Sequence, residues 1–266
     1  MNKKIIIGNW KMNPQNTKEA EKLFNDTTKS LYNIKKTEII ICPPYLYLDK
    51  LNKISLSSRA KKVKKVYLGA QNVFQGNTGA HTGEISVKML YEMGIKYVIL
   101  GHSERRNTEM GIGENNNDIN QKIKSVFSFN IIPILCVGEN FRDEKHKYLE
   151  FIKTQLEQGL DKVPKNLISK LIVAYEPIWA IGKKAERPAT SSEFLEIKIF
   201  IKKVLSDKFG IKNIEGLRVI YGGSIYEDDV SMFLKEGQVD GFLLGRNSLD
   251  VEKFTKIANI VENENS

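Results

Sequence analysis

Cysteine and histidine are scarce in this 266-residue chain, which contains two cysteines and three histidines. Cys42 and Cys136 each end an apolar run, so we predict small buried side chains in a reducing, intracellular setting and no disulfide framework. His81, His102 and His146 lie far apart in the sequence, and no His/Cys/Asp cluster has the spacing of metal ligands. We therefore expect no metal site.

Long hydrophobic runs are also missing. The N-terminal lysines precede only three isoleucines, a stretch far too short for a signal peptide or a membrane span. We therefore expect a cytoplasmic protein with no membrane partner. The net charge is +9, and the densest basic group consists of Arg59, Lys61, Lys62, Lys64 and Lys65. No aromatic residue is interleaved there to stack on bases, so we interpret the group as a solvated face and predict no nucleic-acid partner.

No linker or low-complexity segment divides the chain, and short apolar runs rich in Ile, Val and Leu recur along it. Nearly continuous runs of this kind are typical of parallel strands that are covered on both faces. The eight runs are Lys4–Gly8, Glu38–Cys42, Val66–Ala70, Tyr97–Gly101, Ile131–Cys136, Leu171–Tyr175, Leu217–Tyr221 and Gly241–Gly245.

The segments between these runs have helical spacing. Thr190 and Glu193 have the form of a capping box that opens a helix reaching Phe209, and Asn16 opens another. Eight strands alternating with helices predict a single (β/α)8 barrel, and so one α/β domain over residues 1–266 with a frayed tail from about 260. A doubly wound open sheet is the rival fold, but the turn after the first run lacks the spacing of a dinucleotide fingerprint.

In such a barrel, side chains at the carboxyl ends of the strands converge on one face. An amide, a cation, an imidazole and a carboxylate all follow predicted strands there: Asn9, Lys11, His102 and Glu176. Each residue alone could have no catalytic role: Lys11 could be an exposed lysine, His102 a structural histidine and Glu176 a solvated residue at a strand end. Their joint presence on one rim favours a catalytic site.

The residue types at this rim indicate proton abstraction beside a carbonyl. A carboxylate would remove a carbon-bound proton while the imidazole polarises the oxygen, and Lys11 would supply positive charge to the developing enediolate. The turns Gly222-Gly223-Ser224 and Gly245-Arg246-Asn247, each predicted to enter a helix, would offer backbone N–H groups to a phosphate. Pro177 stops the strand that carries Glu176, and the apolar residues that follow predict a mobile lid.

Seven motifs of the chain closely resemble those of the triosephosphate isomerase family. They occur in the family's order, and the resemblance spreads from residue 8 to about 250. The motifs are Gly8-Asn9-Trp10-Lys11-Met12-Asn13, Gln71-Asn72, Gly79-Ala80-His81-Thr82-Gly83-Glu84, Leu100-Gly101-His102-Ser103-Glu104-Arg105-Arg106, Cys136-Val137-Gly138-Glu139, Tyr175-Glu176-Pro177-Ile178-Trp179-Ala180-Ile181-Gly182 and Tyr221-Gly222-Gly223-Ser224.

The resemblance implies a TIM barrel that interconverts dihydroxyacetone phosphate and D-glyceraldehyde 3-phosphate through an enediolate, in glycolysis and gluconeogenesis, without a cofactor. This family is the standard example of a carboxylate base paired with a neutral histidine and of lid closure. It implies that Glu176 is the base and His102 the electrophile, with Glu104 supporting the site through Lys11. Substrate binding would fall to Asn9, Lys11, Gly182, Ser224, Gly245 and the amide of Arg246.

The resemblance also implies a homodimer, in which the loop from Gln75 to Glu84 inserts into the partner and Thr82 reaches the partner's site. The sequence departs from the family at three places. The passage from Lys183 to Pro188 differs after the lid, Arg246 replaces a second Gly that would tolerate a positive φ, and His81 replaces an aromatic residue of the inserting loop. We expect His81 to make dimerisation sensitive to pH.

Two alternatives stay open at this stage. Another phosphate-binding barrel isomerase would keep the phosphate turns, although it has no reason to place Asn9, Lys11, His102 and Glu176 together. A barrel with a secondary surface-binding role would show binding of polynucleotides that depends steeply on salt concentration.

Overall fold

The computed structural model describes residues 3–60, 66–110, 112–182, 185 and 187–264. Its strands are β1 (Ile5–Asn9), β2 (Glu38–Cys42), β3 (Val66–Ala70), β4 (Tyr97–Leu100), β5 (Ile132–Val137), β6 (Ile172–Tyr175), β7 (Arg218–Tyr221) and β8 (Gly241–Leu244). They pair in parallel in sequence order, and β8 pairs with β1 to close the barrel. The predicted (β/α)8 barrel is confirmed, with most strand ends within one residue of the expected positions.

Helices cover the outside of the barrel. They are α1 (Thr17–Ser30), α2 (Tyr45–Ala60), α3 (Val87–Glu92), α4 (Ser103–Arg106), α5 (Asn116–Ser128), α6 (Lys147–Gly159), α7 (Ser191–Phe209), α8 (Glu227–Lys235) and α9 (Val251–Asn263). The capping box predicted at the start of α7 is present, since Thr190 and Glu193 each accept the other's backbone N–H. Asn16 caps α1 as expected, by accepting the N–H of Glu19.

Two apolar layers hold the barrel together, because successive side chains of a strand point to opposite faces. On β1, Ile5 and Ile7 belong to the cluster inside the barrel, whereas Ile6 packs in the layer between barrel and helices. Both cysteines are free and fully buried in the inner cluster, as predicted. Burial raises the pKa of each thiol above its ordinary value.

The prediction of a frayed tail from about residue 260 is wrong for its first part. Helix α9 continues to Asn263, because Val261 is fully buried against the barrel with Ile257 and Ala258. Glu262 also accepts hydrogen bonds from the backbone N–H groups of Lys35, Lys36 and Thr37. Residues 265 and 266 lie outside the described residues, as do four of the five members of the basic group.

Within the described parts of the chain, no helix combines the length and the apolar character that crossing a membrane requires.

Candidate active site

A cleft of about 830 Å³ opens at the carboxyl ends of the strands. All the side chains and turns predicted to form the site line this one cleft, although they come from distant parts of the sequence. They are Asn9, Lys11, His102, Glu104, Glu176, Gly182, Ser224, Gly245 and Arg246.

Glu176 is placed by the end of β6. Its backbone N–H donates to the carbonyl of Val137 at 2.8 Å, so the strand pairing extends one residue beyond Tyr175 before Pro177 ends it. Gly138 packs directly against this residue, and a Cβ at Gly138 would lie 1.8 Å from the Glu176 carbonyl oxygen. The Glu176 residue is only 2% exposed, so its backbone position is closely fixed.

Both carboxylate oxygens of Glu176 face polar groups on the loop after β4. Oε2 accepts the backbone N–H of Ser103 at 2.8 Å, and Oε1 lies 3.1 Å from Nε2 of His102. The predicted carboxylate and imidazole therefore contact each other directly across the cleft.

The His102 ring is oriented by the start of α4. His102 is the N-cap of this helix, and its Nδ1 accepts the backbone N–H of Glu104 at 3.2 Å. Because Nδ1 accepts a hydrogen bond, the ring proton resides on Nε2, which points at Glu176. The imidazole is thus arranged to donate from Nε2 to an acceptor in the cleft.

Lys11 is held in a strained conformation, with a φ of 53° in the left-handed region. Its N–H donates to the Asn9 side chain at 3.0 Å, and its carbonyl accepts from the Gln71 side chain at 2.8 Å. Its Nζ lies 2.5 Å from Oε1 of Glu104, which is the link that the resemblance implied. The side chain remains about one-third exposed to the cleft, so its charge is accessible to a ligand.

The glycine-containing turns after β7 and β8 line the cleft beside these side chains, with Gly222 next to Glu176 and Gly245 next to Lys11. After β8 a 3-10 helix (Arg246–Leu249) begins immediately, and its first N–H groups have no partner within the helix. The turn after β7 leads to α8 through two further residues, since Ile225 and Tyr226 separate Ser224 from the start of the helix at Glu227. The side chain of Asn247 joins the two turns by donating to the carbonyl of Ile225 at 2.8 Å.

Arg246 does not strain its turn. It is absent from the residues with a positive φ, so a side chain is tolerated where the family usually has glycine. Gly245, which precedes it, approaches Lys11 closely, since a Cβ there would lie 3.5 Å from the lysine Cε. The turn therefore brings backbone N–H groups next to the Lys11 side chain.

The chain matches one known protein family over nearly its whole length. The family model described as triosephosphate isomerase matches residues 4–261. The chain belongs to the triosephosphate isomerase family.

Curated relatives resemble the chain over nearly its whole length. The triosephosphate isomerase of Dictyoglomus thermophilum is 38% identical over 258 residues, covering 97% of this chain and 99% of the relative. The enzymes of Caldanaerobacter subterraneus subsp. tengcongensis and Alkaliphilus oremlandii, both named triosephosphate isomerase, are 38% and 36% identical over 260 residues, with 97% and 100% coverage.

In this member of the triosephosphate isomerase family, the segment after Glu176 is fixed to a buried carboxylate. Glu139 is 2% exposed, and its Oε1 accepts from the Trp179 Nε1 at 2.8 Å and from the Tyr175 hydroxyl at 2.7 Å. Burial raises the pKa of Glu139 against the opposing effect of these donors and of Arg142. We name residues 177–182 the lid segment. The departures at Lys183, Lys184 and Glu186 lie outside the described residues.

Sequence reasoning missed the roles of three residues in this triosephosphate isomerase site: Ser103, Gly138 and Glu139. All lie inside the motifs that carried the resemblance, next to residues that were singled out. Their roles depend on contacts with Glu176 and Trp179, which are between 38 and 73 residues away in sequence, and no periodicity reveals such contacts. In the described parts of the chain, no group of three or more His, Cys, Asp or Glu residues could hold a metal ion.

Proposed function

We propose that the chain interconverts dihydroxyacetone phosphate and D-glyceraldehyde 3-phosphate, with Glu176 as the base and His102 as the electrophile. The observation that carries this proposal is the 3.1 Å contact between Glu176 and Nε2 of His102, in a cleft that the glycine-containing turns after β7 and β8 also line. Family membership supports the same reaction.

The geometry supports a division of labour between these groups. Glu176, released from the Ser103 N–H, removes a proton from one carbon of the triose and returns it to the neighbouring carbon. His102 donates from Nε2 to the carbonyl oxygen, where negative charge develops. Asn9 and Lys11 bind and stabilise the enediolate. Glu104 keeps the lysine side chain in place.

The phosphate would lie against the N–H groups of Gly182, Ser224, Gly245 and Arg246, which all line the same cleft. Lys11 lies beside Gly245, so its charge would act on both the phosphate and the reacting oxygen. Binding energy from the phosphate would thus be used to orient the triose carbons between Glu176 and His102.

A coupled assay with D-glyceraldehyde 3-phosphate tests the proposed activity, and a panel of other phosphorylated aldoses and ketoses tests the alternative of a different barrel isomerase. We expect turnover with the triose phosphate and none with pentose or hexose phosphates. Preference for a longer sugar phosphate would contradict the proposal and favour the alternative.

We also propose that the chain is a homodimer through the loop of residues 75–84, with Thr82 reaching the partner's site. Support comes from exposed apolar side chains that follow strands ending on the same rim, since Met12, after β1, is 82% exposed and Leu46, in the first turn of α2, is 86% exposed. The loop itself is largely exposed, and Phe74 packs on His81 with ring centroids 4.3 Å apart.

Sedimentation analysis of a Leu46→Glu variant tests this interface. We expect the wild type to sediment as a dimer and the variant to dissociate at micromolar concentration, because a buried unpaired carboxylate is costly. Ile211→Glu is the matched control, since Ile211 is 65% exposed near the opposite end of the barrel. Equal sedimentation of both variants as dimers would contradict the proposed surface.

We further propose that residues 1–266 form a single domain in the cytoplasm. The match to one family model over residues 4–261 supports the first statement, and the glycolytic role of the family supports the second.

A further inference from the structure

Trp179 is held on more than one side by charged residues. Its Nε1 donates to Glu139, and the guanidinium of Arg187 lies 4.8 Å from the centre of its ring. Arg142 lies 5.5 Å from the same ring and 3.4 Å from Oε1 of Glu139. Both guanidinium distances are within the range of a cation–π contact.

Arg187 is in turn fixed to the start of α7. Its two terminal nitrogens donate to the two oxygens of Glu193, at 2.6 and 3.0 Å. This bidentate pair restricts the orientation of the guanidinium. Glu193 is also the acidic member of the capping box with Thr190, so Arg187 is attached to a rigid helix end.

The pair is charged over the whole useful pH range. The hydrogen bonds from Arg187, helped by the Thr190 N–H, lower the pKa of Glu193 to about 2. Through Trp179 and Glu193, Arg187 therefore connects the lid segment to the N-terminus of α7. We call Arg187, Trp179 and Glu193 the clasp.

We propose that Arg187 is a positioning residue that holds Trp179, and with it the lid segment, in the position described here and opposes its movement over the cleft. The inference rests on the proposed function, because Glu176 has both oxygens occupied by Ser103 and His102 and must shift before it can reach a substrate carbon. Trp179 lies only three residues beyond Glu176, so a shift of the base and a movement of Trp179 are linked through a short chain segment.

The clasp is suited to bias a conformational equilibrium because it is weak. Arg187 is about half exposed, and exposed ion pairs and cation–π contacts are each worth only a few-fold in an equilibrium constant. Loss of Arg187 should therefore leave the fold intact. It should shift the conformational equilibrium of the lid segment about threefold to tenfold toward the ligand-bound conformation. A ligand that requires closure would then bind more tightly by the same factor.

The test compares Arg187→Gln and Arg187→Lys with wild type, using 2-phosphoglycolate as a mimic of the enediolate. We expect Arg187→Gln to lower both its inhibition constant and the KM for D-glyceraldehyde 3-phosphate about threefold to tenfold, with a smaller change in kcat. Arg187→Lys should fall between, because lysine keeps the charge but not the planar fork. Lys203→Gln is the matched control, since it removes a cation from an exposed pair with Asp207 at the other end of α7.

Acrylamide quenching of tryptophan fluorescence gives a readout that does not depend on activity. Trp10 is fully buried, so quenching in the unliganded chain reports mainly on Trp179. We expect about twofold stronger quenching in Arg187→Gln and no change in Lys203→Gln. An inactive wild type would refute the proposed function, whereas unchanged quenching and an unchanged inhibition constant in Arg187→Gln, with wild type active, would refute only the clasp.

Discussion

Shortening Glu176 by one methylene tests whether its reach, and not merely its charge, supports catalysis. In Glu176→Asp the carboxylate retracts by about 1.5 Å, the length of one carbon–carbon bond. The backbone cannot follow, because Gly138 packs against the Glu176 carbonyl and the N–H of Glu176 is bonded to Val137. A misplacement of about 1 Å typically costs about 10²-fold, so we expect kcat to fall by about 10²- to 10³-fold.

Glu176→Ala removes the base altogether and should lower kcat by at least the 10²- to 10⁴-fold typical of general-base catalysis. The Ser103 N–H that loses its acceptor faces the cleft and can bind water, so the melting temperature should change by only a few degrees. KM should change little in both variants, because Glu176 is not among the groups proposed to bind the phosphate.

Both variants are assayed in the coupled reaction beside Glu150→Ala, which removes a carboxylate that is 74% exposed on α6. Glu176→Ala with a kcat within tenfold of wild type would refute the assignment of the base. Equal kcat values for Glu176→Asp and wild type would refute the argument from the fixed backbone.

Two further predictions concern packing and pH. Gly138→Ala should unfold at a clearly lower temperature and lose most activity, since its Cβ would lie 1.8 Å from the Glu176 carbonyl oxygen. Gly159→Ala is the control, because the nearest atom to its Cβ would lie 4.0 Å away. We expect this control to behave as wild type in thermal unfolding and in the activity assay. Glu262→Gln should destabilise the protein by about 1 to 2 kcal/mol at pH 7 in urea unfolding. Partial burial of Glu262 raises the pKa of its carboxylate, but hydrogen bonds from the N–H groups of residues 35–37 outweigh this effect and lower the pKa from 4.5 to about 2. The stabilisation is therefore fully present above about pH 4.5 and is lost as the pH falls toward 2. A difference between the two proteins that stays constant down to pH 2 would contradict this account.

Much of the fold was predictable because its signals are local. The eight strands of a barrel buried on both faces appear as short apolar runs, and the caps at Asn16 and Thr190 are written in four-residue patterns. The end of helix α9 was mispredicted because the polar residues near the C-terminus, such as Glu262 and Asn263, suggested a solvated tail, whereas Val261, just before them, is buried. Only packing against the barrel decides which of these residues is covered.

The candidate site was predictable as a set of residues but not as an arrangement. Strand ends identified Asn9, Lys11, His102 and Glu176, because parallel strands in a barrel all end on the same face. The backbone angle of Arg246 was not readable from the sequence, because the same dipeptide fits turns of either sign of φ.

The sequence by itself therefore determined the alternation of strands and helices, the residue types on the rim and membership in the family. The tertiary structure decided which ring nitrogen of His102 faces Glu176, the bond from Ser103 to the base and the stacking of Arg187 on Trp179. The physical reason is the range of the interactions. Burial pattern and capping act within a few residues, whereas the contacts of Ser103 and His102 with Glu176 join the ends of two different strands, β4 and β6. The contact of Arg187 with Trp179 forms only once the chain between β6 and α7 has folded.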